Sequence, residues 1–186
     1  MNQKEIFLVL TRTGTWLSRT IGYFTQDEYT HLSISFDDNL NSMYSFGRTN
    51  PSNPFSGGFV VENISTGVFK MFPNAKCLVF KYSVTEEQYT LLKNGINNFL
   101  SDKELYKYSV LGLIGIQLNH PVDRTYYYFC SQFVFKLLIE AGIDVGDINA
   151  SLSKPTDILT LNDLNFYYEG YVRDYTATKH KLLQTV

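Results

Sequence analysis

Cysteine is scarce in this sequence: Cys77 and Cys130 are the only two among 186 residues. Two thiols cannot make a disulfide framework for a chain this large, which excludes the small disulfide-stapled class. Long apolar runs are missing as well. The longest away from the N-terminus, Val110 to Ile116, is far below the roughly 20 residues of a membrane-spanning helix. An excess of one charge is also absent, with 16 Lys and Arg against 18 Asp and Glu. A net charge of −2 leaves no electrostatic footprint for nucleic acid, and no basic run points to a membrane surface. The opening M-N-Q-K-E-I-F-L-V-L has neither a long apolar core nor a small-residue cleavage site. The expectation is therefore no secretion signal, a reducing cytoplasm, free thiols and a silent Asn63-Ile64-Ser65 sequon. No CxxC, HxxxH or comparable spacing would join Cys130, His31 and His120 around an ion, so no metal and no cofactor are expected.

Aromatics are plentiful, with 14 Tyr and 14 Phe. The length fits a single domain spanning residues 1–186, with a core over about 5–160 and a C-terminal extension over 161–186. Ile6 to Leu10 reads as a buried strand, and a short helix is expected around Trp16 to Ile21. His31-Leu32-Ser33-Ile34-Ser35-Phe36 alternates strictly, as a half-buried strand does. D-D-N-L-N then turns the chain, and Ser42 to Phe46 returns as the second strand of a hairpin. After a loop over residues 47–58, strands are expected at Phe59–Val61, Val68–Phe72 and Cys77–Val84. Thr85-Glu86-Glu87-Gln88 is a capping box opening a helix to about Leu100. Tyr106 to Leu118 is apolar and interrupted by glycine, and its pattern assigns no element. A second helix runs from Cys130 to Ala141 and stops at Gly142. Loops and short elements follow. Strands around separated helices, without regular alternation, make the expected class α+β.

Cys130 lies at the head of its helix, on the stripe continued by Phe133, Val134, Leu137, Leu138 and Ala141. That position suits a core thiol, and equally a nucleophile at the positive end of a helix dipole. Cys77, in A-K-C-L-V-F-K-Y, reads as core packing. A catalytic thiol needs a base. His180 sits in a polar tail, and His120 precedes a proline in L-N-H-P-V. His31 shares a strand face with the small residues Ser33 and Ser35, which leaves room for a partner. If the hairpin turns near Asn39, Ser33 pairs with Ser45 and His31 lies opposite Gly47, making Ser45 a diagonal neighbour of the imidazole; a register slipped by one residue offers Tyr44 instead. No carboxylate falls at either position to orient the ring.

Y-T-H-L-S-I-S-F-D, then M-Y-S-F-G-R with G-G-F-V-V-E downstream, then Y-F-C-S-Q-F-V and K-P-T-D-I-L follow one another between about residues 5 and 160. A histidine strand first and a cysteine helix about a hundred residues later resembles the circularly permuted papain-like proteins of the NlpC-type superfamily, in particular the YiiX/YaeF-like amidases. The resemblance implies an antiparallel sheet carrying His31, with the Cys130 helix packed against it. It implies Cys130 as nucleophile, His31 as general base and backbone N–H groups at the helix start as oxyanion donors. Such proteins commonly carry a glutamate on the strand after the histidine strand. Here Ser45 stands in that place. By analogy Gln132 is a candidate oxyanion donor, and Tyr44 and Tyr128 are candidates to line a substrate groove.

The expected function is a cytoplasmic cysteine hydrolase or thioester acyltransferase working on a small amide, peptide or acyl substrate. The alternative is a peptide- or lipid-binding module without chemistry. It rests on the missing acidic residue and on the aromatic side chains of Tyr126, Tyr127, Tyr128, Tyr44, Phe46 and Phe55.

Overall fold

A computed structural model describes residues 3–13, 28–49 and 56–176. The expected helix around Trp16, Phe55 and His180 lie outside the described residues. The chain is a mixed α+β protein built on one eight-stranded sheet in the order β7-β6-β4-β3-β2-β1-β5-β8. The strands are β1 (Gln3–Arg12), β2 (His31–Ser35), β3 (Met43–Arg48), β4 (Gly57–Glu62), β5 (Lys76–Thr85), β6 (Lys107–Tyr108), β7 (Tyr127–Tyr128) and β8 (Asn165–Tyr171). All neighbouring pairs are antiparallel except β6 and β7. The helices are α1 (Gly67–Met71), α2 (Glu86–Ser101), α3 (Val110–Gln117) and α4 (Cys130–Glu140).

Central β1 is apolar without alternation because both faces of the sheet are covered. Ile6, Leu8 and Leu10 point to the helix side, where Leu32, Ile34, Phe46 and Phe59 meet α2 and α4. Phe7 and Val9 point to the other side, into a smaller cluster with Cys77, Val79, Val172 and Tyr175. Leu92, Ile96 and Phe99 line the buried stripe of α2, and its capping box forms as the sequence predicts. Helix α4 lies on β2 and β3. Residues 130–135 are all buried, so the polar pair Ser131 and Gln132 must find partners inside. Ser131 donates to the Ser153 carbonyl at 2.8 Å.

Three segments differ from expectation. Val68–Phe72 is not a strand: residues 67–71 form α1, closed by Phe72 N–H on the Val68 carbonyl. A five-residue segment, apolar but for Lys70, is too short to carry a period, and burial of Phe69 alone satisfies a single helical turn. Tyr106–Leu118, unassigned by pattern, divides into the two-residue β6 and the eight-residue α3. The region expected as an extension past residue 160 supplies β8, which closes the outer edge of β5, and then the buried Val172 and Tyr175.

Candidate active site

Strand β3 pairs with β2 through Ile34–Tyr44 and Ser35–Met43, a register that continued along the hairpin sets Ser33 against Ser45 and His31 against Gly47. On the far side, Ser45 faces Val60 and Gly47 faces Gly58 of β4. The middle strand therefore presents only a hydroxymethyl and a hydrogen on this face. Over that low floor two side chains from the flanking strands meet. His31 Nε2 lies 2.9 Å from Glu62 Oε2. Ser33 Oγ donates to the same carboxylate oxygen at 2.9 Å and sits 3.3 Å from Nε2. A Cβ built on Gly47 would stand 3.6 Å from His31 Cε1 and 3.8 Å from Glu62 Oε1, so the floor fits both groups closely.

Cys130 approaches the imidazole from the head of α4, near enough for its side chain to raise the His31 pKa. With Nε2 held by Glu62, Nδ1 is the ring nitrogen left for the thiol. The imidazole and carboxylate side chains are 20% and 17% exposed. Burial by itself lowers the His31 pKa. The Glu62 charge, the interaction with Cys130 and the bond with Glu62 outweigh it and hold His31 well above the ordinary 6.5. Burial likewise raises Glu62, while the His31 charge and the His31 and Ser33 hydrogen bonds lower it further, so the carboxyl lies below 4.5. An ionised Glu62 beside an imidazole fixes the tautomer and steadies the protonated ring.

Tyr108 of β6 feels the charge of Cys130. Its pKa is pushed well above 10, by burial first and by charge on Cys130 second, so its phenol keeps its proton. Gly57 leaves room for it: a Cβ there would meet Tyr108 Cβ at 2.6 Å. The set can take a proton from a thiol and hold it on a carboxylate-steadied imidazole.

Among the residues expected from sequence, Cys130 and His31 come together. Ser45 does not orient the ring. It is fully buried and donates at 2.6 Å to the Leu32 carbonyl, so Glu62 holds the place expected of it. Gln132 spends its amide N–H groups elsewhere, its Nε2 lying 3.3 Å from Asp123 Oδ1 and 3.2 Å from Ser151 Oγ. Tyr44 stacks on Phe59, and Tyr128 packs on Phe46 and Phe99. Those rings belong to the aromatic core, although Tyr128 also lines a cleft of about 500 Å³ with Gln132. Cys77 is buried in the smaller cluster, and burial pushes its thiol to about 12. His120 is exposed at the end of α3. Among the described residues no group of three or more His, Cys, Asp or Glu is placed to hold a metal ion.

Sequence reasoning passed over Glu62 and Tyr108. Glu62 ends the G-G-F-V-V-E segment, one strand beyond β3, where the resemblance puts the orienting residue. The available signal was the run of small residues opposite His31, which lets a longer side chain cross β3. Tyr108 lay in the stretch that carried no readable period. A cavity of about 770 Å³ runs along the outer edge of β4. Its walls include Glu62 but neither Cys130 nor His31, so it is not the reaction chamber.

No protein-family model, curated protein or solved structure matches the chain.

Proposed function

We propose that this protein is a cysteine acyl-transfer enzyme, an amidase-type hydrolase or thioester acyltransferase, on a permuted papain-like domain. The observation that carries the reading is the convergence of Cys130, His31 and Glu62 from a helix head and two strands. Cys130 Sγ attacks a substrate carbonyl carbon while His31 takes the thiol proton. Glu62 holds the ring and the positive charge it gains. The carbonyl oxygen, negative in the tetrahedral intermediate, is met by backbone N–H groups of the first turn of α4 and by the Tyr108 phenol. Collapse expels the amine or alcohol, which receives the proton from His31 and leaves a thioester on Cys130. Water or a second nucleophile then releases the acyl group. A module without chemistry rested on two grounds, the lack of a carboxylate beside His31 and the abundance of aromatic side chains, and the Glu62 carboxylate at 2.9 Å supports the catalytic reading over the first.

The test is incubation with p-nitrophenyl acetate, followed by release of nitrophenolate and mass mapping of the protein. Wild type gains one acetyl group on Cys130, and Cys130→Ser gains none. His31→Ala slows acylation by about 100-fold, the ordinary contribution of a general base. Acetylation spread over lysines at equal rates in wild type and His31→Ala rejects the proposal.

A further inference from the structure

Helix α3 has its apolar side chains on the wrong face for a helix packed on one side. Val110, Leu111, Ile114 and Leu118 fall within one arc and are 61%, 51%, 50% and 72% exposed. The two fully buried positions are glycines, Gly112 and Gly115. Both are held close: a Cβ on Gly112 would lie 2.8 Å from the Phe129 ring, and one on Gly115 would lie 2.6 Å from the His120 carbonyl oxygen. The helix thus lies flat against its neighbours through small residues and offers its large ones outward. Leu105 and Tyr126, 52% and 44% exposed, are further apolar groups near its ends in sequence. No charged residue occurs from Tyr108 to Val122.

We propose that α3 is a docking element for a lipid surface, lying in the membrane interface without crossing it. Two observations favour lipid over a second copy of the chain. The four side chains expose on the order of 400 Å², which is about half of what each partner of a stable dimer buries, roughly 800 Å². A lipid surface needs no such minimum, because each apolar side chain that inserts contributes separately. The flanks are also balanced in charge, with Lys103, Lys107 and Arg124 against Asp102, Glu104 and Asp123. That balance suits a zwitterionic surface and gives no reason for strict dependence on anionic lipid. Eight residues are too few to span a bilayer, and among the described residues no helix is long and apolar enough to do so. The helix follows Tyr108 after one residue, the buried N-cap Ser109, so docking would set the Cys130 site beside the surface.

The experiment is flotation of the full chain with phosphatidylcholine vesicles, with and without added phosphatidylglycerol. Wild type floats with both, and salt changes the bound fraction little. Ile114→Asp and Leu118→Asp each lower the partition coefficient by about tenfold or more. Leu118→Met retains binding, and Leu159→Asp, at another exposed apolar position, leaves it unchanged. Circular dichroism and Cys130 acetylation without vesicles report whether the variants stay folded. They also separate failure here from failure of the catalytic reading. Absence of flotation, or flotation indifferent to Ile114 and Leu118, overturns the proposal. So does a dimer in sedimentation equilibrium that the same two substitutions dissociate.

Discussion

Glu62 and Ser45 sit on adjacent strands and the same face of the sheet, with hydrogen bonds that divide their tasks. Glu62 spends its carboxylate on His31 and Ser33, whereas Ser45 turns its hydroxyl down to the Leu32 carbonyl. Replacing Glu62 by Gln removes the largest influence that raises His31, while burial continues to lower it. The His31 pKa therefore falls in Glu62→Gln, read as the titration of its Cε1 proton by NMR, and acetylation of Cys130 slows with it. Ser45→Ala loses one buried hydrogen bond and costs about 1 kcal/mol in urea unfolding. It leaves the His31 titration where it was. Equal displacement of the titration by both substitutions would show Ser45 and Glu62 acting as one orienting group, against the division drawn here.

Elements position these residues through close backbone approaches. Phe129 is fully buried, caps α4 and precedes Cys130, while its ring lies where a side chain on Gly112 would go. A methyl group at Gly112 would stand 2.8 Å from that ring and 2.9 Å from Ser109 Oγ, the cap of α3. Neither neighbour is the free end of a flexible chain. Gly112→Ala is expected to destabilise the fold by about 1–3 kcal/mol, measured as a fall in urea midpoint. Because the displaced ring adjoins Cys130, acetylation falls as well. At the other end of α4, Gly142 adopts φ +70°, with Ile143 N–H returning to the Leu138 carbonyl. That closure is the Schellman stop that a glycine at the end of an apolar stripe predicts.

For the whole molecule, the site is a pair whose protonation is coupled to folding. His31 has its pKa raised, so its contribution is complete below the ordinary 6.5 and is lost as pH rises through its folded value. Glu62 has its pKa lowered, so its contribution is complete above 4.5 and is lost as pH falls through its folded value. The stability difference between wild type and Glu62→Gln is then largest between about pH 4.5 and 6.5 and shrinks on both sides, as urea unfolding across that range would record. A difference independent of pH would mean that the pair is not ionised in the folded state.

Local pattern was enough for much of this protein. Strict alternation placed His31 at the start of β2, the Thr85 capping box opened α2, and the stripe from Cys130 to Ala141 placed the thiol at a helix head. Those features depend on neighbours a few residues away, which is the range over which propensity and periodicity act. The turn composition left two hairpin registers open, and the sheet adopts the one centred on Asn39. What lay beyond that range was decided by packing. The phase of β8 is broken by the bulge opposite Val79 and Phe80, so its edge pairing leaves no clean alternation to read. Helix α3 inverts the usual pattern because glycines, not large side chains, make its inner contact. Glu62 reaches His31 across an intervening strand, a contact possible only where Ser45 and Gly47 keep that strand low. The sequence by itself determined which residues could react, since chemistry resides in side chains and local position. Only the tertiary structure decided which carboxylate holds the histidine, because that choice depends on the shape of the sheet between them.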